Sequence, residues 1–176
     1  MALRARHLKI YYFWAKSLLM SVPEQIMESI KRYCAYQERC HSEVRYKLIA
    51  LGCYGEELEE AIGMLIEEDF LNEERFATAY AGGKFRMRSW GRLKIKQHLK
   101  QKQVSDYCIR RAMKAIAEEE YVQRMEQLME KKLEAMQHEP NPWKRQQKIF
   151  AYMMQKGYEY DLIKDTWQAI QSKLAK

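Results

Sequence analysis

Residues 67–104 read EEDFLNEERFATAYAGGKFRMRSWGRLKIKQHLKQKQV, and the sign of the charge reverses part-way along. The stretch opens acidic at Glu67, Glu68 and Asp69. Asn72, followed by Glu73 and Glu74, then marks a helix start: an Asn side chain accepts from a free backbone N–H, and carboxylates suit the positive end of the helix dipole. Phe76, Ala79 and Tyr80 at i, i+3 and i+4 give that helix one apolar face. Gly82–Gly83 reads as a hinge or stop near its end. Lys84, Arg86, Arg88, Arg92, Lys94, Lys96, Lys100 and Lys102 follow without an intervening acid. A second helix begins near Gly91. With Ile95 pointing inward and about 100° per residue, Leu99 and Lys102 lie close to that direction. Arg92, Lys96 and Lys100 then fan along one flank, with Lys94 on the far side.

Working outward, the same design occurs three times. Val44, Leu48, Cys53, Leu58, Ala61, Ile62 and Leu65 recur 51 residues on as Ile95, Leu99, Val104, Ile109, Ala112, Met113 and Ile116. A further 54 residues on, they recur as Ile149, Met153, Tyr158, Ile163, Thr166, Trp167 and Ile170, in phase and without a gap. Periods near 50 residues indicate a repeat array whose neighbours cover each other's apolar faces. The fold class expected is all-α: three tandem three-helix, helix-turn-helix-like repeats in an elongated curved array. The expected bounds are 21–70, 71–118 and 119–176, after an N-terminal extension over 1–20.

Local signals fill in the units. Ser21-Val22-Pro23-Glu24 reads as a capping box with Pro23 in the first turn. Ser42-Glu43 starts the next helix and Gly52 stops it. A third runs from Glu56 to Glu67. In the last unit a helix over Glu119–Gln137 leads to an Asn141 cap with Pro142 at the first helical position. Trp143 and Trp167 are placed in the core.

Residues 1–19 pair basic residues with aromatics, but Lys16 breaks the apolar run and no small-x-small cleavage site follows. The segment is too short to span a bilayer. A flexible basic arm, an amphipathic docking helix, and translated sequence upstream of a natural start at Met20 are the three readings, the last two being favoured.

The 176 residues carry a formal charge of +7, 47% hydrophobic and 31% charged side chains, seven glycines and three prolines. That is enough apolar material for a core, and few helix breakers. The charge permits contact with a polyanion without requiring it. Cys34, Cys40, Cys53 and Cys108 show no C-x-x-C spacing and read as reduced thiols in a cytoplasm. Cys40-His41 lacks the second ligand pair that a zinc site needs.

The central stretch carries a family resemblance. The acidic turn with Phe70-Leu71-Asn72-Glu73-Glu74-Arg75-Phe76-Ala77 resembles the signature of the RecX family. Gly91-Arg92-Leu93-Lys94-Ile95-Lys96-Gln97-His98-Leu99-Lys100-Gln101-Lys102-Gln103-Val104 resembles that family's G-x-x-[RK]-[IL]-x-x-x-L-x-x-K-G-[IV] run. It departs at Gln103, where the family has Gly, and at His98, where Glu is frequent. The resemblance implies a cytoplasmic regulator that binds the RecA recombinase, lies in the groove of the RecA–single-stranded DNA filament and restrains its recombination and co-protease activity. It implies the same tandem architecture.

No catalytic constellation is present. His7, His41, His98 and His138 are scattered, and no phosphate-binding G-x-x-x-x-G-K-[ST] loop occurs. The expectation is a non-enzyme without cofactor or metal. The candidate partner-binding residues are Lys84, Arg86, Arg88, Arg92, Lys94, Lys96 and Lys100, with Trp90 among them as a stacking group or a plug over the joint between the first two units. Arg110, Arg111 and Lys114 project from the third helix of the middle unit. From Cys53 to Glu74 there are nine acids and no base, so part of the charge asymmetry is expected to be attraction between adjacent units. The expected partners are the RecA filament and single-stranded DNA, with no membrane, and the chain a monomer. The alternative is a trihelical module acting on DNA directly. Ser105-Asp106-Tyr107 weighs against sequence-specific reading there, since an acid at a recognition-helix start repels phosphate.

Overall fold

A computed structural model describes residues 22–174. Its helices are α1 (Glu24–Tyr36), α2 (His41–Ala50), α3 (Gly55–Glu67), α4 (Glu73–Arg88), α5 (Arg92–Gln101), α6 (Asp106–Lys114), α7 (Glu118–Glu134), α8 (Pro142–Lys156) and α9 (Tyr160–Leu174). No strand occurs among the described residues. The helices pack in consecutive threes: α1 on α2 and α2 on α3, then α4, α5 and α6 pairwise, then α7, α8 and α9 pairwise. The chain divides into two compact units, one ending at Asn72 and the other beginning at Glu73. The second holds two of the three-helix groups. The proposals for residues 1–20, and the Ser21 cap, lie outside the described residues.

The periodicity is a core pattern. All seven recurring positions are buried in each of the three groups, from Val44 to Leu65, Ile95 to Ile116 and Ile149 to Ile170. Thr166 is no exception, at 7% exposure. A second recurrence underlies the first. Gly52, Gln103 and Gly157 occupy one repeat position, and all three have positive φ, at 85°, 60° and 91°. After each, Cys53, Val104 and Tyr158 donate their N–H to the carbonyls of Leu48, Leu99 and Met153, at 3.0, 3.1 and 3.2 Å. This is the Schellman ending, which favours glycine because a Cβ in the left-handed region is strained. The glycine of the family run is thereby explained, and Gln103 stands where it is missing. Gln103→Gly is expected to raise stability by about 1 kcal/mol, read as a higher urea midpoint with an unchanged m-value.

Several local expectations are corrected. Helix α1 is capped at Pro23 without a side-chain bond, so Pro23 precedes the helix. Helix α2 starts at His41, with Cys40 and Glu43 forming the capping box. Ser42 is buried instead. Helix α4 does not stop at Gly82–Gly83 but runs on to Arg88. Phe85, 1% exposed, holds the second half of that helix in the core. Gly82 is buried because the Arg86 guanidinium folds back over it, where a Cβ would lie 2.9 Å from Nη2. The apolar face of α4 comprises Phe76, Ala77, Ala81 and Phe85, while Ala79 points outward. Helix α7 begins at Glu118 and ends at Glu134. Asn141 caps α8 as expected, accepting from Trp143 and Lys144 N–H at 3.0 and 3.2 Å. Trp143 itself, the second helical residue after the cap, is 63% exposed, whereas Trp167 is core at 9%.

Inside the second unit, two loops meet backbone to backbone. Gly91 N–H donates to the Lys156 carbonyl at 2.9 Å, and Leu93 N–H to the Gly157 carbonyl at 3.0 Å. A Cβ on Gly91 would lie 2.2 Å from the Gly157 oxygen, and one on Gly157 would lie 2.3 Å from Lys94 Cβ. Only paired glycines allow this approach. Beneath the joint, Phe85, Tyr121 and Tyr158 form a run of rings with centroids 5.8 and 5.1 Å apart.

Candidate functional site

The acid-free run becomes the last turns of α4, the corner at Ser89–Gly91 and all of α5. Ser89 has φ 50°, so the chain turns sharply there and leaves Trp90 half-buried beside α5. The Trp90 ring lies 4.5 Å from that of His98, with Lys84 Nζ 5.2 Å and Lys94 Nζ 4.9 Å from its centroid. Lys84 also stands over Tyr80 at 5.1 Å, and Lys102 over the same ring at 5.8 Å. Aromatic faces carry negative charge density and so hold ammonium groups that would otherwise repel one another. Partial burial, then Lys94, Lys84 and Lys102, hold the His98 pKa below its ordinary value, so the imidazole adds no charge at neutral pH.

The candidate cations divide into two classes. Some brace the unit. Arg92 forms two hydrogen bonds to Glu118, at 3.3 and 2.7 Å, reaches the Ile116 carbonyl at 3.4 Å and lies 4.0 Å over the Tyr121 ring. Its side chain is 15% exposed. The rotation about α5 placed Arg92 correctly on a flank, but α7 covers that flank. Lys94 donates to the Gln155 carbonyl at 3.2 Å. Arg111 pairs with Glu74 at 2.9 Å, and Lys100 lies 3.7 Å from Asp106. Both of those pairs are exposed, where solvent screening leaves little net energy.

Others remain available. Lys96, Arg110 and Lys114 have no ion-pair partner among the described residues, and Arg110 and Lys114 are fully on the surface. Arg86 and Arg88 are also exposed, and Met87 beside them is 84% exposed. The acids of the first unit are engaged at home in two cases: Glu59 with Arg45, and Glu68 with Lys31. Trp90, expected as a plug between the first two units, makes its ring contacts within α4 and α5. His98 lies against its ring, and Tyr80, which holds Lys102, shares Lys84 with it; these three are not among the candidates read from the sequence. Tyr80 and Lys84 at i and i+4 were a legible signal.

The four cysteines are free and buried. Among the described residues no cluster of His, Cys, Asp or Glu could hold a metal, and no helix is long and apolar enough to cross a membrane.

Comparison with known proteins agrees with this construction. Residues 72–113 match the second three-helix domain of RecX, and residues 118–167 the third. Together they span more than half of the chain. The regulatory protein RecX of Clostridium perfringens strain 13 is 35% identical over 124 residues, 70% of this chain and 58% of that protein. That of Clostridium botulinum strain Eklund 17B is 28% identical over 151 residues, covering 85% of this chain and 68% of that one. The chain thus spans little more than half the length of the Clostridium perfringens relative. The crystal structure of RecX from Lactobacillus salivarius superposes with a TM-score of 0.78 at 26% identity, over 84% of this chain and 95% of that one.

Proposed function

Because the chain belongs to the RecX family of regulatory proteins, we propose that it binds the RecA recombinase on single-stranded DNA and restrains the filament's ATP hydrolysis, recombination and co-protease activity in DNA repair and the SOS response. Inhibition, the cytoplasmic setting and action as a monomer belong to this reading, and it assigns the chain no catalysis of its own. The observation that supports it most is the acid-free run from Lys84 to Lys102, over the end of α4 and all of α5, with Arg110 and Lys114 exposed on α6. Eight bases without an acid exceed what solubility requires, and they suit an acidic protein face or a phosphate chain.

The division of the cations sharpens the test. Charge reversal at Arg92 would break the bidentate pair with Glu118 and confuse folding with binding. Lys96→Glu, Arg110→Glu and Lys114→Glu, combined, reverse charge only where no ion pair is broken. RecA ATP hydrolysis on single-stranded DNA, with the protein titrated in below stoichiometry, is expected to fall with the wild type. The triple variant should need about tenfold more protein for the same effect, or more. A folded triple variant that matches the wild type sinks the assignment of this surface. A wild type without effect on hydrolysis sinks the regulatory reading.

A further inference from the structure

The alternation of rings and ammonium groups does not stop with the second repeat. Lys94, which lies over Trp90, also donates to the Gln155 carbonyl on α8. Next to Gln155, Lys156 donates to the Arg88 carbonyl at 3.2 Å and lies 5.6 Å from the Tyr152 ring. From α7, Lys132 reaches the same ring at 5.2 Å. Tyr152, Lys132 and Gln155 line an open groove of about 560 Å³ with Met136, Lys148 and Ala151. Of its lining cations, Lys148 is paired with Glu139 at 2.8 Å.

Contacts therefore run from Tyr80 through Lys84, Trp90 and Lys94 to Gln155, whose neighbour Lys156 carries them on to Tyr152 and Lys132, all within the second unit. Each of the three rings is half-buried, which holds it in place, and each is flanked by at least two ammonium groups. We propose that single-stranded nucleic acid follows this ladder across the glycine joint into the third repeat. There Tyr152 serves as a stacking platform for a base, with Lys132 and Lys156 as contacts to the flanking phosphates. The ammonium groups resting on the ring swing to phosphate when a base arrives, an exchange that the flexibility of lysine allows.

Rings set at intervals between cations fit unpaired bases, every one of which has a face to stack. Duplex DNA hides those faces. An acidic protein surface would use the cations but has no need of successive aromatic platforms. The inference rests on the reading of the basic strip as a binding surface, and extends it to residues that lie outside the acid-free run.

The test is fluorescence anisotropy of a labelled oligothymidylate of about 20 nucleotides with the full chain, from about 50 to about 200 mM salt. Tyr152→Leu is expected to weaken binding about tenfold, and Tyr152→Phe, which keeps the ring, to restore most of it. Lys132→Gln with Lys156→Gln should lower the slope of log K against log salt by about 1.4. Should Tyr152→Leu melt early, the lysine pair decides alone. A folded Tyr152→Leu with wild-type affinity, or an unchanged slope, overturns the proposal. If the Lys96, Arg110 and Lys114 reversal still abolishes oligonucleotide binding in that case, only the extension fails. If the wild type ignores the oligonucleotide yet acts on RecA, the surface meets protein, and the proposal fails while the regulatory reading stands.

Discussion

Gly157→Ala is expected to lower the melting temperature by about 10 °C. Two penalties fall on one methyl group. At φ 91° the residue sits in the left-handed region, where a side chain costs about 1–3 kcal/mol. The added carbon also meets Lys94 Cβ at 2.3 Å and Lys94 N at 2.6 Å. Relief requires backbone movement, at a further cost of about 1–3 kcal/mol. The two together cost about 2–6 kcal/mol, and the middle of that range gives the shift stated, at about 2–4 °C per kcal/mol for a chain of this size. Gly91→Ala should behave similarly for a different reason. Its φ is an ordinary −76°, so the whole penalty is the approach to the Gly157 carbonyl. Scanning calorimetry on both variants gives the answer. If either melts within about 2 °C of the wild type, the loops do not press together as described.

The second large effect is alkaline. Tyr121 and Tyr158 are 0% and 1% exposed. Burial pushes both hydroxyls well above the ordinary tyrosine value, and for Tyr121 the carboxylate of Glu159, which accepts from its hydroxyl at 2.6 Å, pushes in the same direction. A folded pKa above the unfolded one means that the neutral form is favoured in the native state. Its contribution to stability is complete below about pH 10 and is lost as the pH rises through the higher folded value. Each tyrosine contributes about 1.4 kcal/mol per pH unit above 10, so the pair should lower stability by about 2.7 kcal/mol per unit, on top of the loss that the buried Cys34 thiol, pushed up to about 11, brings below that value. Urea unfolding at a series of pH values measures the slope. Replacing either tyrosine with Phe should remove about 1.4 kcal/mol per pH unit from it.

At neutral pH the two replacements part company. The Tyr121 hydroxyl accepts from Arg92 N–H at 3.0 Å as well as donating to Glu159. Tyr121→Phe strands both groups and should cost about 1–3 kcal/mol. The Tyr158 hydroxyl is buried with no hydrogen-bond partner among the described residues, so Tyr158→Phe should be neutral or slightly stabilising. Stability that stays flat to pH 11 would show that these hydroxyls reach solvent.

Much of the architecture could be read in advance, for a definite reason. Helical burial repeats every three or four residues, so positions such as Val44, Ile95 and Ile149 announce themselves by spacing alone, and a seam kept in phase across three copies leaves little freedom in what packs inward. The Asn141 cap and the Gly52 stop were legible too, being local backbone chemistry. Local signals misled where tertiary packing overruled them. Gly82–Gly83 resembles a stop, yet Phe85 holds the helix together beyond it. Trp143 resembles core, yet it lies exposed at the start of α8.

The candidate surface was legible as charge and illegible as commitment. Composition and spacing determined an all-helical repeat chain, its buried seam and a long acid-free cationic run, because these follow from residue type and the helical period. Whether Arg92 faces solvent or Glu118, whether Gly157 ends a helix merely or also admits Gly91, and whether Lys156 reaches the Arg88 carbonyl were settled by packing between repeats. Those contacts join residues 26 to 68 positions apart, and no local period encodes which distant side chain will arrive beside another.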